Sequence, residues 1–219
     1  MSMSAFQPWH FRAASRETAL VFPDGCRDVL VVRPPDAPPH VVLTTFDFSP
    51  RHAVMMPGTE ISGYRLRPGA SVSHKVLAAV AADTGRATTI LGDALAEWGA
   101  LDDAIVALTR PGASVAGVAR ESGMSLRSLQ RRFQDRHLPP PEFWRLLARA
   151  RRAVALLPTP APLAEIAAEC GFSDQAHMTR ALKRWFGHSP AQLRRDAGLR
   201  LLLGQPALGN WTAEQISTR

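Results

Sequence analysis

The sequence predicts an α+β protein with a small β-rich N-terminal part and an all-α C-terminal part. Three observations carry this. Up to Gly69, short apolar runs alternate with turns rich in Pro, Gly and Asp. After Gly69 the apolar residues recur at helical rather than strand spacing. From Val115 a pattern of short helix, glycine and second helix occurs twice, with a long apolar-striped helix between the copies.

In the first part, residues 1–15 show no clear period. Thr18 to Phe22 is extended and enters the turn Pro23-Asp24-Gly25, where Pro fixes φ and Gly accepts a positive φ. Asp28 to Arg33 is a strand whose continuous apolar run predicts burial on both faces. The loop Pro34 to Pro39 leads to a strand from His40 to Phe46. A third runs from Ala53 to Met56 and stops at Pro57-Gly58, and a fourth from Glu60 to Arg67 stops at Pro68-Gly69. Strands this short, with turns this frequent, predict a small antiparallel sheet or partial barrel. Helices follow at Ser73 to Ala82, Thr88 to Trp98 and Leu101 to Leu108. The stretch 109–114 reads as a boundary, giving domains 1–108 and 109–196 and an extension 197–219.

The second copy of the repeat is the clearer. Leu163, Ile166, Ala167 and Cys170 share one helical face, and Gly171 ends that helix with Phe172 plugging the turn. Ser173 or Asp174 caps the next helix through its side-chain oxygen. That helix has Met178, Leu182 and Trp185 (or Phe186) on its back, and Gln175, His177, Thr179, Arg180 and Lys183 on its front. Gly187 stops it, and Ser189-Pro190 opens a further short helix with Pro at the first helical position. The first copy runs from Val115 to Phe133, with its turn at Gly123, 48 residues before Gly171. Between them, Pro141 to Leu157 carries an apolar stripe that includes Leu147, Ala150 and Val154, and Pro158, Pro160 and Pro162 end it. An apolar back, a tight glycine turn and a polar, basic front describe two helix-turn-helix units joined by a linker helix. One position departs from the repeat. Leu138 stands where the second copy has Gly187, so the first unit must close its second helix differently.

Charge separates the halves. The 219 residues carry a formal charge of +7. Residues 1–100 hold 9 Lys/Arg and 9 Asp/Glu, whereas residues 101–219 hold 17 and 10, so the whole excess lies with the repeated units. That asymmetry predicts a polyanion partner for the second half alone. A hydrophobic fraction of 46% and a charged fraction of 21% fit a soluble globular chain. No apolar run is long enough for a membrane span, and the first residues lack the apolar core of a signal peptide, so a cytoplasmic protein without a membrane partner is expected. Two cysteines make no disulfide framework, and no cofactor or metal motif is present.

The run GFSDQAHMTRALKRWFGHSP, with its matched partner upstream, resembles the tandem helix-turn-helix of AraC/XylS-type bacterial transcription regulators over about residues 110–196. The resemblance implies a cytoplasmic regulator that binds double-stranded DNA and is not an enzyme. It implies base reading by Arg127, Gln130 and Arg131 in the first unit, and by Gln175, Ala176, His177, Thr179 and Arg180 in the second. The side-chain chemistry agrees, since Arg pairs bidentately with guanine, Gln with adenine, and a small Ala admits a base or a thymine methyl. Arg132, Lys183, Arg184, Arg194, Arg195 and the backbone amides near Ser189 are expected at phosphates. RNA polymerase is a further expected partner, and the chain is expected as monomer or homodimer.

The N-terminal half resembles, through PDGCRD and GYRLRPG, an uncharacterised domain that precedes this DNA reader in some bacterial regulators. It is expected to sense a small-molecule effector or to drive self-association. The alternative is a DNA-bound enzyme or redox sensor that uses Cys26 in the manner of an alkyl acceptor, with His40, His52 and His74 as the available histidines. The tail after Asp196 is apolar at Leu199 to Leu203 and again at Trp211. It is expected to fold back on the N-terminal domain, to make an oligomer contact, or to stay partly ordered.

Overall fold

A computed structural model of the chain describes residues 5–95 and 97–204. The fold is α+β, with a β-rich first part followed by helices. Six strands are described: β1 (Phe6–Arg12), β2 (Glu17–Val21), β3 (Asp28–Arg33), β4 (His40–Leu43), β5 (Arg51–Met55) and β6 (Glu60–Leu66). They form two sheets, one of four antiparallel strands in the order β1-β6-β3-β4 and a ribbon of β2 with β5.

β1 lies in the stretch 1–15, which has no clear apolar period. Its alternation is masked because Pro8 sits on the strand, at the sheet edge where a missing N–H costs no ladder bond. Trp9 lies across Gly63 on the neighbouring strand, and a Cβ at Gly63 would overlap the indole. The indole N–H donates to Asp28 Oδ1 at 2.8 Å. β3 is not buried equally on both faces. Val29 and Val31 are fully buried, while Leu30 and Val32 are half-buried on the side facing the ribbon.

Three helices follow: α1 (His74–Ala82), α2 (Ala87–Ala94) and α3 (Ala100–Leu108). Ser73 caps α1 by accepting the Val76 N–H. α2 stops at Ala94, short of Trp98, whose indole instead donates to Asp103 Oδ1 at 2.7 Å. α1 and α2 supply Val80, Ala87 and Leu91 to a core against Phe6, Val29, Val31 and Leu66. α3 packs elsewhere. Its Ala104, Ile105 and Leu108 lie in the core of the C-terminal half, with Val118, Phe133 and Trp144. Arg67, at the end of β6, ties the halves together by donating to Asp102 Oδ1 at 3.0 Å and to the carbonyls of Leu95 and Glu97.

The C-terminal half contains α4 (Val115–Glu121), α5 (Leu126–Asp135), α6 (Pro141–Leu156), α7 (Leu163–Glu169), α8 (Gln175–Phe186), α9 (Pro190–Arg195) and α10 (Ala197–Leu203). α6 runs through the middle, with Phe143, Trp144, Leu147, Ala150 and Val154 all buried. α10 packs on α6 and α9, and its Leu203 is fully buried in the same core. Trp211 lies outside the described residues.

The first part meets α6 and α8 through two loops. Phe22 is buried in the helical core with its ring 6.5 Å from that of His188. Phe46 and Phe48 stack edge-on against Phe143, at 6.2 and 4.9 Å. No helix among the described residues is long and apolar enough to cross a membrane.

Candidate nucleic-acid interface

The two units are built by the same local chemistry. Ser114 caps α4 and Ser125 caps α5, each by accepting the N–H three residues on. In the second unit Asp174, rather than Ser173, caps α8 by accepting the His177 N–H. That bond holds the exposed Asp174 carboxyl below its ordinary pKa, with help from the Ser173 hydroxyl and Arg180. The turns match bond for bond. Gly123 and Gly171 take φ of 66° and 73°, and the next residue's N–H returns to the first helix, Met124 to Ala119 at 2.8 Å and Phe172 to Ala167 at 2.9 Å.

The second helices end differently. Gly187 closes α8 in the left-handed region at φ 73°. In the first unit His137 takes that conformation, at φ 52°, and the Leu138 N–H then bonds to the Phe133 carbonyl at 2.9 Å while the Leu138 side chain is buried. Leu138 therefore fills the apolar position just past the cap, and the conformational role of Gly187 falls one residue earlier, on His137.

On α5 the back is buried through Leu129 and Phe133, and Arg127, Gln130, Arg131 and Arg132 are exposed. On α8 the back is buried through Met178, Leu182, Trp185 and Phe186, and Gln175, Ala176, Arg180, Lys183 and Arg184 are exposed. Two residues expected on that front are partly withdrawn. His177 is half-buried, with Nδ1 3.0 Å from the Ser173 hydroxyl and its ring edge-on to Phe172. Thr179 is half-buried and its hydroxyl donates to the Gln175 carbonyl at 2.9 Å.

The expected phosphate contacts divide as well. Arg195 is exposed on α9. Arg194, its neighbour, turns inward and donates to the carbonyls of Leu157 and Ala161, both at 2.9 Å. It fastens α9 to the connection between α6 and α7. At Ser189 the hydroxyl accepts the Gln192 N–H, and the Ser189 amide donates to Gln192 Oε1 at 2.8 Å, a reciprocal cap for α9.

The linker helix carries a set of arginines that sequence reasoning did not single out. Arg149 donates to the Gly171 carbonyl at 3.0 Å and stacks on Phe172 at 4.3 Å, holding the second unit's turn. Arg152 donates to the Thr109 carbonyl at 2.7 Å, where α3 leads to the first unit. Arg151, 1% exposed, donates to the Pro23 carbonyl at 2.8 Å. Burial pulls the Arg151 pKa down to about 10, against the opposing pull of Asp24. The available signal was that three arginines lie between Leu147 and Ala153 on a helix otherwise striped with apolar residues.

Cys26 lies at the first part's contact with this helix. It is 3% exposed, and its N–H donates to Asp24 Oδ1 at 2.9 Å. Asp24 and Asp28 pair with the buried Arg65. Burial opposes the Arg65 charge, but Asp24, with Cys26 and Asp28, more than offsets it and raises its pKa. Burial pushes the Cys26 thiol up to about 12, despite the nearby Arg65 charge.

Two tandem helix-turn-helix units on one linker helix, each with a basic exposed front, define a DNA-binding transcription regulator. Residues 118–196 match a family model described as a helix-turn-helix domain. These residues form a helix-turn-helix domain of the AraC type. Among solved structures it is similar to an AraC-type transcriptional regulator from Chromobacterium violaceum, at 28% identity over 44% of this chain and 86% of that one, with a TM-score of 0.38. It is similar to the DNA-binding domain of the global transcriptional factor AdpA, solved with a target DNA, at 29% identity over 44% and 86%, TM-score 0.37. The transcriptional regulator CdpR from Pseudomonas aeruginosa is 22% identical over 65% of this chain and 47% of that one, TM-score 0.40.

Proposed function

We propose that the protein is a sequence-specific regulator whose α5 and α8 enter successive major grooves on one face of the duplex, under the control of its N-terminal half. The observation that carries this is the linker helix. Its arginines clamp the Gly171 turn of one unit and the Thr109 entry to the other, so both recognition helices are held by one body. On this reading the DNA reader includes α3 and α10 as well as residues 109–196, because both pack in its core.

Base contacts fall to Arg127, Gln130 and Arg131, and to Gln175, Ala176 and Arg180, with His177 and Thr179 at the margin of the second surface. Arg132, Lys183, Arg184 and Arg195 meet phosphates. The test is footprinting of a selected site by the full chain. The expected pattern is two protected major-groove segments about 34 Å apart on one face. Arg131→Ala or Arg180→Ala should cost about 1–3 kcal/mol at that site and blur one base position. Protection of a single groove would refute the two-groove reading. RNA polymerase is a partner such a regulator would meet. The rival reading, chemistry at Cys26, has less support, because a buried thiol with a pKa near 12 offers little thiolate at neutral pH.

A further inference from the structure

We propose that the cleft between the β2–β5 ribbon and the four-stranded sheet binds a neutral, largely apolar small molecule that controls DNA binding. The cleft has a volume of about 1010 Å³, close to the upper end of drug-sized sites, about 1,000 Å³. The sheet contributes Trp9, Phe11, Leu30, Val32 and Ile61, and the ribbon lies opposite with the cross-strand pair Ala19 and Ala53. The cleft is open to solvent along one side, and its walls are mainly apolar.

The polar groups around it set the ligand class. Glu17 accepts the Ala14 N–H, Arg51 is paired with Asp47 at 2.6 Å, and the Thr44 hydroxyl accepts the Asp28 N–H at 2.8 Å. Asp36 is exposed on its loop, where water screens it. Glu17, Arg51 and Thr44 are thus each engaged by the protein itself, and the rest of the lining is mainly apolar, which favours a neutral ligand.

The ribbon is also wired to the DNA reader at one end of each strand. β2 runs straight into Phe22, buried in the helical core, and Pro23, whose carbonyl takes the Arg151 bond. β5 is preceded by Pro50, which stands against Gly187 at the end of α8. A ligand that shifts the ribbon therefore moves both contacts, and it acts by favouring one arrangement of the two halves.

This inference rests on the effector role proposed above, and the test separates the two. The full chain is titrated with N-phenyl-1-naphthylamine, an uncharged apolar fluorophore, and DNA affinity is read by anisotropy with and without it. Saturable binding of one probe per chain is expected, weakened by about tenfold or more in Ala53→Trp and in Ala19→Leu. Saturating probe should change DNA affinity by about fivefold or more. Circular dichroism checks that each variant is folded, and either folded variant suffices. No saturable binding, or equal binding by a folded filling variant, overturns the cleft as the site. Binding that the variants abolish but that leaves DNA affinity unchanged keeps the site and overturns effector control. Equal affinity for the anionic 8-anilino-1-naphthalenesulfonate overturns the neutral ligand class.

Discussion

Replacing Arg194 and Arg195 separately by Ala should give opposite phenotypes, although the two are adjacent and equally charged. Arg194 donates two bonds at 2.9 Å, to the Leu157 and Ala161 carbonyls, and so joins α9 to the connection between α6 and α7. A hydrogen bond to a charged donor is worth about 1.5–3 kcal/mol. Arg194 is half-exposed, and water can reach the freed carbonyls, so about 2 kcal/mol for the pair is the expected loss. For a chain of this size that lowers the melting temperature by about 4–8 °C. Arg195 is exposed, and its removal should leave stability within about 0.5 kcal/mol. On DNA the order reverses. Arg195→Ala should reduce the slope of log K against log salt by about 0.9, one phosphate contact, and Arg194→Ala should leave the slope alone. The assays are thermal melting followed by circular dichroism, and anisotropy titrations at several salt concentrations. If Arg194→Ala melts like the parent chain but loses a unit of salt slope, then Arg194 is a phosphate ligand and the clamp is wrong.

Three further outcomes are expected. Gly63→Ala places a methyl in the Trp9 indole and should cost about 1–3 kcal/mol in urea denaturation, with a changed Trp emission before unfolding. His137→Gly should raise stability by about 0.5 kcal/mol, because glycine takes the left-handed conformation without the side-chain penalty, and His137→Val should lower it by about 1–2 kcal/mol. Cys26 should resist a thiol reagent in the folded chain and react once the chain is unfolded. Its folded pKa of about 12 lies above its ordinary 9.0, so its contribution to stability is complete below pH 9 and fades as pH rises from 9 towards 12. Fast modification of the native protein at pH 8 would contradict the burial.

The helix-turn-helix units were legible because their signals are local. A cap, a positive-φ glycine and an apolar back at three- and four-residue spacing all fall within one short segment, as at Asp174, Gly171 and Met178 with Leu182. β1 was not legible, since Pro8 interrupts its pattern and its pairing partners on β6 lie 48 to 60 positions on. The division of strands into a sheet and a ribbon was hidden for the same reason, because pairing Ala19 with Ala53 is a long-range choice. The closure of α5 was half legible. Leu138 marked a departure, but only the backbone shows that His137 absorbs the strained angle. Arg194 and Arg195 look alike in sequence, and what separates them is a pair of carbonyls more than thirty residues away.

The helical core that supports the DNA-reading surface draws on Phe22 at one extreme and Leu203 at the other. Arg151, near its centre, reaches the carbonyls of both Pro23 and Leu203, at 2.8 and 3.4 Å. Such closures span a large part of the chain, and their entropy must be met before the contacts return any stability. During synthesis, α4 to α8 can form as local hairpins while their shared interior still lacks its last wall. The apolar flank of α6 that Leu203 covers stays open to solvent until α10 has left the ribosome, and over that interval the nascent chain presents a sticky surface of the kind that recruits chaperones. The two basic fronts form early, but the core that holds them in one body closes only with α10, so fragments that lack α10 should bind DNA less tightly than the full chain.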